Sequence, residues 1–257
     1  GSSSSSAAGP YVGGSSPAMM DNFTSGALSM ARTAPSMHDI TVGALSIVGN
    51  SPSTSGIRGS NWDTDGISIA GCGYNVVVEG VDTDYVAASC SNSAAPNNLV
   101  IEDLDATYTG TMNAIYARNS VIAIGDGSVA MPSSYDKMAK SSTNGKIVLI
   151  DVDQDGTDCE SASDCVVSSS SSGGVYFGST ATVRVYKLLD DGVTQDNKSA
   201  HTVQATVVDA GSPLFVVGTH KTDSNGIANV WVLFENDDGD TYDPVSYTHL
   251  RAHETAS

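Results

Sequence analysis

The densest group of side chains able to do chemistry is "DVDQDGTDCESASDC" (151–165). Asp151, Asp153 and Asp155 alternate along it, and Gly156 follows. Alternate Asp side chains ending in a Gly turn can gather several oxygens around one hard cation, so Ca²⁺ is the expected cofactor and Asp158 the fourth ligand. An EF-hand-type loop needs an acid at its twelfth position; Ala162 stands there, and Asp158 or Asp164 would have to substitute. The competing reading is a solvated acidic loop. "NDDGDTYD" (236–243) is a second, sparser acidic group. Cys159 and Cys165 bracket the Asp/Ser loop at a spacing that can close a small disulfide, and Cys72 with Cys90 can form another. The alternative is four reduced, buried small hydrophobes. No CxxC pair exists, which argues against zinc or thioredoxin-like chemistry. His38, His201 and His220 show no ligand spacing, and no serine has a nucleophile-elbow context. Trp62, beside Asp63, reads as a loop aromatic able to stack on a sugar, and Trp231 as core.

The elements that must position these groups are β-strands. Hydrophobic residues make up 40% of the 257, enough for a core, but aromatics are only 6%, so that core must be largely aliphatic. The net charge is −18, with 29 acids against 11 Lys and Arg. That balance excludes the basic stripe a nucleic-acid binder needs. Only five of the acids are Glu; Asp suits turns and Ca²⁺ loops better than helices. A saline habitat is the alternative cause of such acidity. No run of 18 apolar residues exists, so no transmembrane segment is expected. Two sequons, Asn22-Phe-Thr24 and Asn197-Lys-Ser199, fit an exported chain. The start, "GSSSSSAAGP", has no Met, and a fragment is expected.

Four β-rich runs superpose: "NVVVEGV" from Asn75, "NLVIEDL" from Asn98, "VIAIGDG" from Val121 and "KIVLIDV" from Lys146. Their starts are spaced 23, 23 and 25 apart. Alternation puts Val76, Leu99, Ile122 and Ile147 on one face with Val78, Ile101, Ile124 and Leu149. "DITVGAL" from Asp39 joins the register through Ile40, Val42 and Leu45, with a longer loop filling a gap of 36. Shorter runs lie between: "GISIAG" (66–71), "YVAAS" (85–89), "AIYAR" (114–118) and "VYFGS" (175–179). Strand-only sequence with a fixed period of 20–25 argues for a solenoid, in which each unit buries its apolar face on the next. The pattern resembles a right-handed parallel β-helix of the pectate-lyase-like kind over 25–179, after a Ser/Gly-rich start or partial rung at 1–24. An antiparallel sandwich is the alternative.

After Thr180 the strands lengthen. "VQATVVDAGSPLFVVGTHKTDSNGIANVWVLF" is similar to the Ig-like and carboxypeptidase-regulatory-like sandwich modules of large secreted surface proteins. Asn225-Gly226 is a hairpin signal between its last two strands. The fold class expected is therefore all-β: a parallel β-helix, then a small and incomplete Ig-like β-sandwich at 180–244. Such modules space or present other domains and do no catalysis.

One stretch carries an enzyme resemblance. "NWDTDGISIAGCGYNVVVEGVDTDY" is similar to the "NTDGI…N-V-x-I…DD" segment of polygalacturonase-like glycoside hydrolases, themselves β-helices. The resemblance implies Asp65, with Asp82 or Asp84, as catalytic acids, and paired carboxylates across a cleft suit inverting hydrolysis. The chain departs from that family where Thr83 splits the Asp pair. It also lacks the Gly-His-Gly and Arg-Ile-Lys that should follow. Lyase chemistry would need a base, for which Arg58 and Arg118 qualify by position alone.

The last residues, "VSYTHLRAHETAS" (245–257), are similar to one translated frame of a transposase-type sequencing adapter. They are expected to be foreign to the natural chain, which would then stop near Pro244. The expectation overall is a non-enzymatic extracellular or cell-surface β-helix protein, structural or adhesive, with polysaccharide or other surface components as partners. The alternative is a polysaccharide-degrading β-helix enzyme. A third reading is a phage tail or spike segment, whose β-helices trimerise.

Overall fold

The computed structural model describes residues 11–13, 19–31, 36–49, 56–92, 94–111, 113–133, 136–200, 202–209 and 212–233. The described residues hold strands and turns and no helix. The chain divides into two compact units between Tyr176 and Phe177.

In the first unit consecutive strands step between two parallel sheets. A broad sheet takes Met19–Ser25, Ser36–Val42, Gly56–Thr64, Asn75–Thr83, Asn97–Thr107, Ser120–Ala130 and Lys146–Gln154, in that order. A narrow sheet takes Tyr11–Gly13, Leu28–Ala31, Leu45–Val48, Ile67–Ile69, Val86–Ser89, Asn113–Arg118, Lys137–Ser142 and Val167–Ser169. Strands of the two sheets touch, and inward residues from both are buried.

The sequence explains this placement. Val76, Leu99, Ile122 and Ile147 are Cα partners in one continuous ladder, each 0% exposed. Val78, Ile101, Ile124 and Leu149 form the next. Burying a large aliphatic side chain contributes roughly 1.5–3 kcal/mol, and no strand can do so without its neighbours. At the corners, polar side chains take up backbone groups that no sheet pairs. Buried Asn97 accepts from Tyr74 N at 3.1 Å and donates to Gly71 O at 2.7 Å. Buried Asn119 donates to Cys90 O at 2.8 Å.

Two expectations about the early strands are corrected. Ile40 pairs with Trp62, and Trp62 with Val81, so "DITVGAL" sits five positions from its expected register. Leu45 belongs to the narrow sheet, between Leu28 and Ile67. The gap of 36 contains a full broad-sheet strand, Gly56–Thr64, that was expected as loop. Its pattern is faint because Gly59 occupies an inward position. Trp62 fills the space there: its indole lies where a Gly59 side chain would be, and its Nε1 donates to Met37 O at 3.0 Å. Trp62 is 1% exposed, so it is core and not a sugar-stacking loop residue.

The second unit is antiparallel. Gly174–Arg184 carries the chain into it, and residues Gly178 to Arg184 pair with Ile227–Leu233. Thr202–Asp209 pairs with Ser212–Lys221, and Tyr186–Leu188 with Gln195–Asn197. Val203, Ala228 and Val230 form its core with Ala181, Val183 and Val185. The Asn225-Gly226 turn forms, but the strand after it pairs with Gly174–Arg184 instead of closing a hairpin on Ser212–Lys221. A turn dipeptide fixes a reversal and not a pairing partner. Here Gly226 (φ 74) accepts from Val185 N at 2.7 Å, a backbone approach that leaves no room for a Cβ.

Candidate functional site

Each broad-sheet strand carries one residue in the left-handed backbone region, at the same place: Asn22, Asp39, Asn61, Gly80, Asp103, Asp126 and Asp151. These are the residue types that tolerate positive φ. An extra left-handed residue bends a strand and shifts its alternation by one. Inward residues therefore fall two and four places before it but one and three places after it, as Val76, Val78, Val81 and Thr83 show around Gly80. Successive strands bend together and leave a groove of about 610 Å³ along the outer face.

Two columns of polar side chains line that groove. One is the left-handed column itself, in which Asn61 Nδ2 donates to Asp39 Oδ1 at 2.6 Å. The other runs Thr24, Thr41, Asp63, Asp82 and Asp105 in direct register. No Lys, Arg or His is among the lining residues. The Asp82 carboxyl is held above the usual aspartate value, by partial desolvation first and then by Asp105, Asp63 and Asp84. One column further out, Glu79 and Glu102 stand opposite each other, and desolvation followed by the Glu79 charge raises the Glu102 carboxyl.

The residues expected to be catalytic are only partly brought together. Asp82 lines the groove. Asp84 lies in the turn beyond, close enough to raise Asp82, and accepts from Thr109 Oγ1 at 3.0 Å. Asp65 follows the preceding strand, its N–H bonded to Gly43 O at 2.8 Å; it is not among the groups acting on Asp82. Asp63, Asp103 and Asp105 were not anticipated. The repeat itself contained the signal: Asp82, Asp105 and Asp153 each follow the seventh position of an aligned run. No family model matches the chain, and neither a curated protein nor a solved structure matches it.

Two of the four residues expected to hold Ca²⁺ accept hydrogen bonds from the backbone. Asp153 Oδ1 accepts from Gly156 N at 3.1 Å, and Asp155 Oδ1 accepts from Met131 N at 2.8 Å. Asp158 faces Asp153 across a short antiparallel ladder, and Asp151 is the left-handed residue of its strand. Among the described residues no three His, Cys, Asp or Glu converge as a group that could hold a metal ion. Cys72 is bonded to Cys90 and Cys159 to Cys165, with Cα–Cα distances of 4.9 and 5.6 Å. The first bridge joins corners that follow neighbouring narrow-sheet strands. His38 Nδ1 is hydrogen-bonded to Ser60 Oγ. Sequon residue Asn22 is exposed, and Asn197 accepts from Arg184. Residues 236–243, His201 and the tail 245–257 lie outside the described residues.

Proposed function

We propose that the chain is part of an extracellular or cell-surface protein in which a pectate-lyase-like, right-handed parallel β-helix acts as a structural or adhesive rod, followed by an Ig-like module. The observation that carries this reading is the repetition of the groove. Asp63, Asp82 and Asp105 recur at one position on successive strands, where a catalytic centre would gather unlike groups from different elements. A periodic polar groove suits an extended ligand held by many weak contacts. Two disulfides fit an oxidising, exported setting.

The charge narrows the ligand. A groove lined by carboxylates without a cation repels uronates and phosphates, which leaves neutral or amino-bearing glycans. A second reading, glycoside hydrolysis, is supported by one observation: partial desolvation and then the neighbouring Asp105, Asp63 and Asp84 make Asp82 hold its proton more tightly than an ordinary aspartate, as a general acid does.

A panel of neutral, amino-bearing and acidic polysaccharides separates the two. The adhesive reading expects retention on neutral or amino-bearing polymers without release of sugars. Sugar release abolished by Asp82→Asn would replace it with the hydrolase reading.

A further inference from the structure

Among the described residues, no ion pair balances the charge that the groove carries. Asp63 from Gly56–Thr64 and Asp105 from Asn97–Thr107 face Asp82 from its two neighbouring strands, and Asp84 faces it from its own chain. Glu102 is faced by Glu79. Neighbouring strands lie about 4.8 Å apart, and like charges directly opposite each other weaken a ladder. The other ionisable groups on these strands do not compensate. Arg58 is exposed and forms no ion pair among the described residues, and His38 is bonded to Ser60.

We propose that this face is an acid-set clasp: the rungs of the first unit hold together more tightly as repulsion along the Asp63–Asp82–Asp105 column and across the Glu79–Glu102 pair is relieved on acidification, and loosen as that repulsion returns. A protonated carboxyl in such a column removes one repulsion and gains a donor for the carboxylate beside it. The direction follows from linkage. Asp82 and Glu102 titrate higher in the folded chain than their ordinary values of 3.8 and 4.5. Their stabilising contribution is therefore complete below those ordinary values and is lost as pH rises through the raised ones.

The test is thermal melting of the full chain between pH 7 and 4.5. Trp62 fluorescence reports on the first unit, in a Trp231→Phe background that removes the other indole. The melting temperature is expected to rise by about 3 °C or more on acidification. Asp63→Asn/Asp82→Asn/Asp105→Asn is expected to melt above the parent at pH 7 and to lose at least half of that rise. Molar NaCl, which screens exposed charges, is expected to raise the parent's melting temperature at pH 7 more than at pH 4.5. A flat or falling melting temperature from pH 7 to 4.5 overturns the proposal. If the triple variant does not fold, Asp82→Asn alone decides: an unchanged or lower melting temperature at pH 7 also overturns it.

Discussion

Asp82 and Asp105 stand directly opposite each other on adjacent parallel strands, and Asp105 is the largest charge contribution, after desolvation, to the raised Asp82 carboxyl. Removing that charge should let Asp82 fall back toward its ordinary value. Carboxyl carbon shifts followed through a pH titration should show this in Asp105→Asn. An Asp82 midpoint that does not move downward would mean that desolvation alone sets it.

The second unit should respond to acid in the opposite sense. Asp223 is lowered, mainly by accepting from Ile227 N at 2.9 Å and also from Asn225. Asp191 is lowered by Thr194 and Val193. A lowered folded value means stability that is present above 3.8 and lost as pH falls through the lowered value. Amide exchange at Asn225 and Ile227 should therefore quicken in strong acid, and Asp223→Ala should reproduce that quickening at neutral pH. Equal exchange rates in parent and variant would show that the turn does not depend on this cap.

The aliphatic ladders should carry most of the first unit's stability. Leu99→Ala removes a fully buried side chain between Val76 and Ile122 and should cost about 2–5 kcal/mol in denaturant unfolding. Val77→Thr, on the outward side of the neighbouring strand, should stay within about 0.5 kcal/mol.

The left-handed column makes a prediction independent of charge. Asp103 has φ 67, where a Cβ costs roughly 1–2 kcal/mol. Asp103→Ala and Asp103→Gly both delete the carboxylate, so their difference isolates the backbone. The Gly variant should be the more stable by about 1 kcal/mol, and equal stabilities would remove the strain argument.

Cys72–Cys90 closes a loop with a sequence separation of 18. Replacing both cysteines with Ala should cost about 3 kcal/mol, read as a lower denaturant midpoint with a steeper slope, because the unlinked unfolded chain exposes more surface.

Where the repeats were regular, the sequence was a good guide. From Asn75 to Gln154 the alternation is strong and the spacing nearly constant, so partners such as Leu99 and Ile122 followed from periodicity. Before Asn75 the rule failed for a physical reason. The left-handed residue shifts the alternation by one, so Ile40-Thr-Val42 matches the pattern either before or after the bend; Asp39 (φ 50) decides between them, and composition does not reveal φ. Gly59 and Trp62 share one space, a substitution of shape that a hydrophobicity pattern does not record. The groove is faint in the sequence because its acids are single residues spread over separate repeats, whereas the run at 151–165 is dense; within that run Asp153 and Asp155 accept from backbone N–H groups.

The Cys72–Cys90 bond also sets a mechanical path. It lies in parallel with the whole of Asn75–Thr83 and Val86–Ser89. If the chain is pulled from its two ends, force reaching Cys72 crosses the sulfur bridge directly to Cys90. The segment between them bears no load and adds none of the roughly 60 Å that its extended length would otherwise supply. Under such tension the chain thus carries one turn that cannot be drawn out until this bridge is reduced, and the missing length could be read from a force–extension trace recorded with and without reductant.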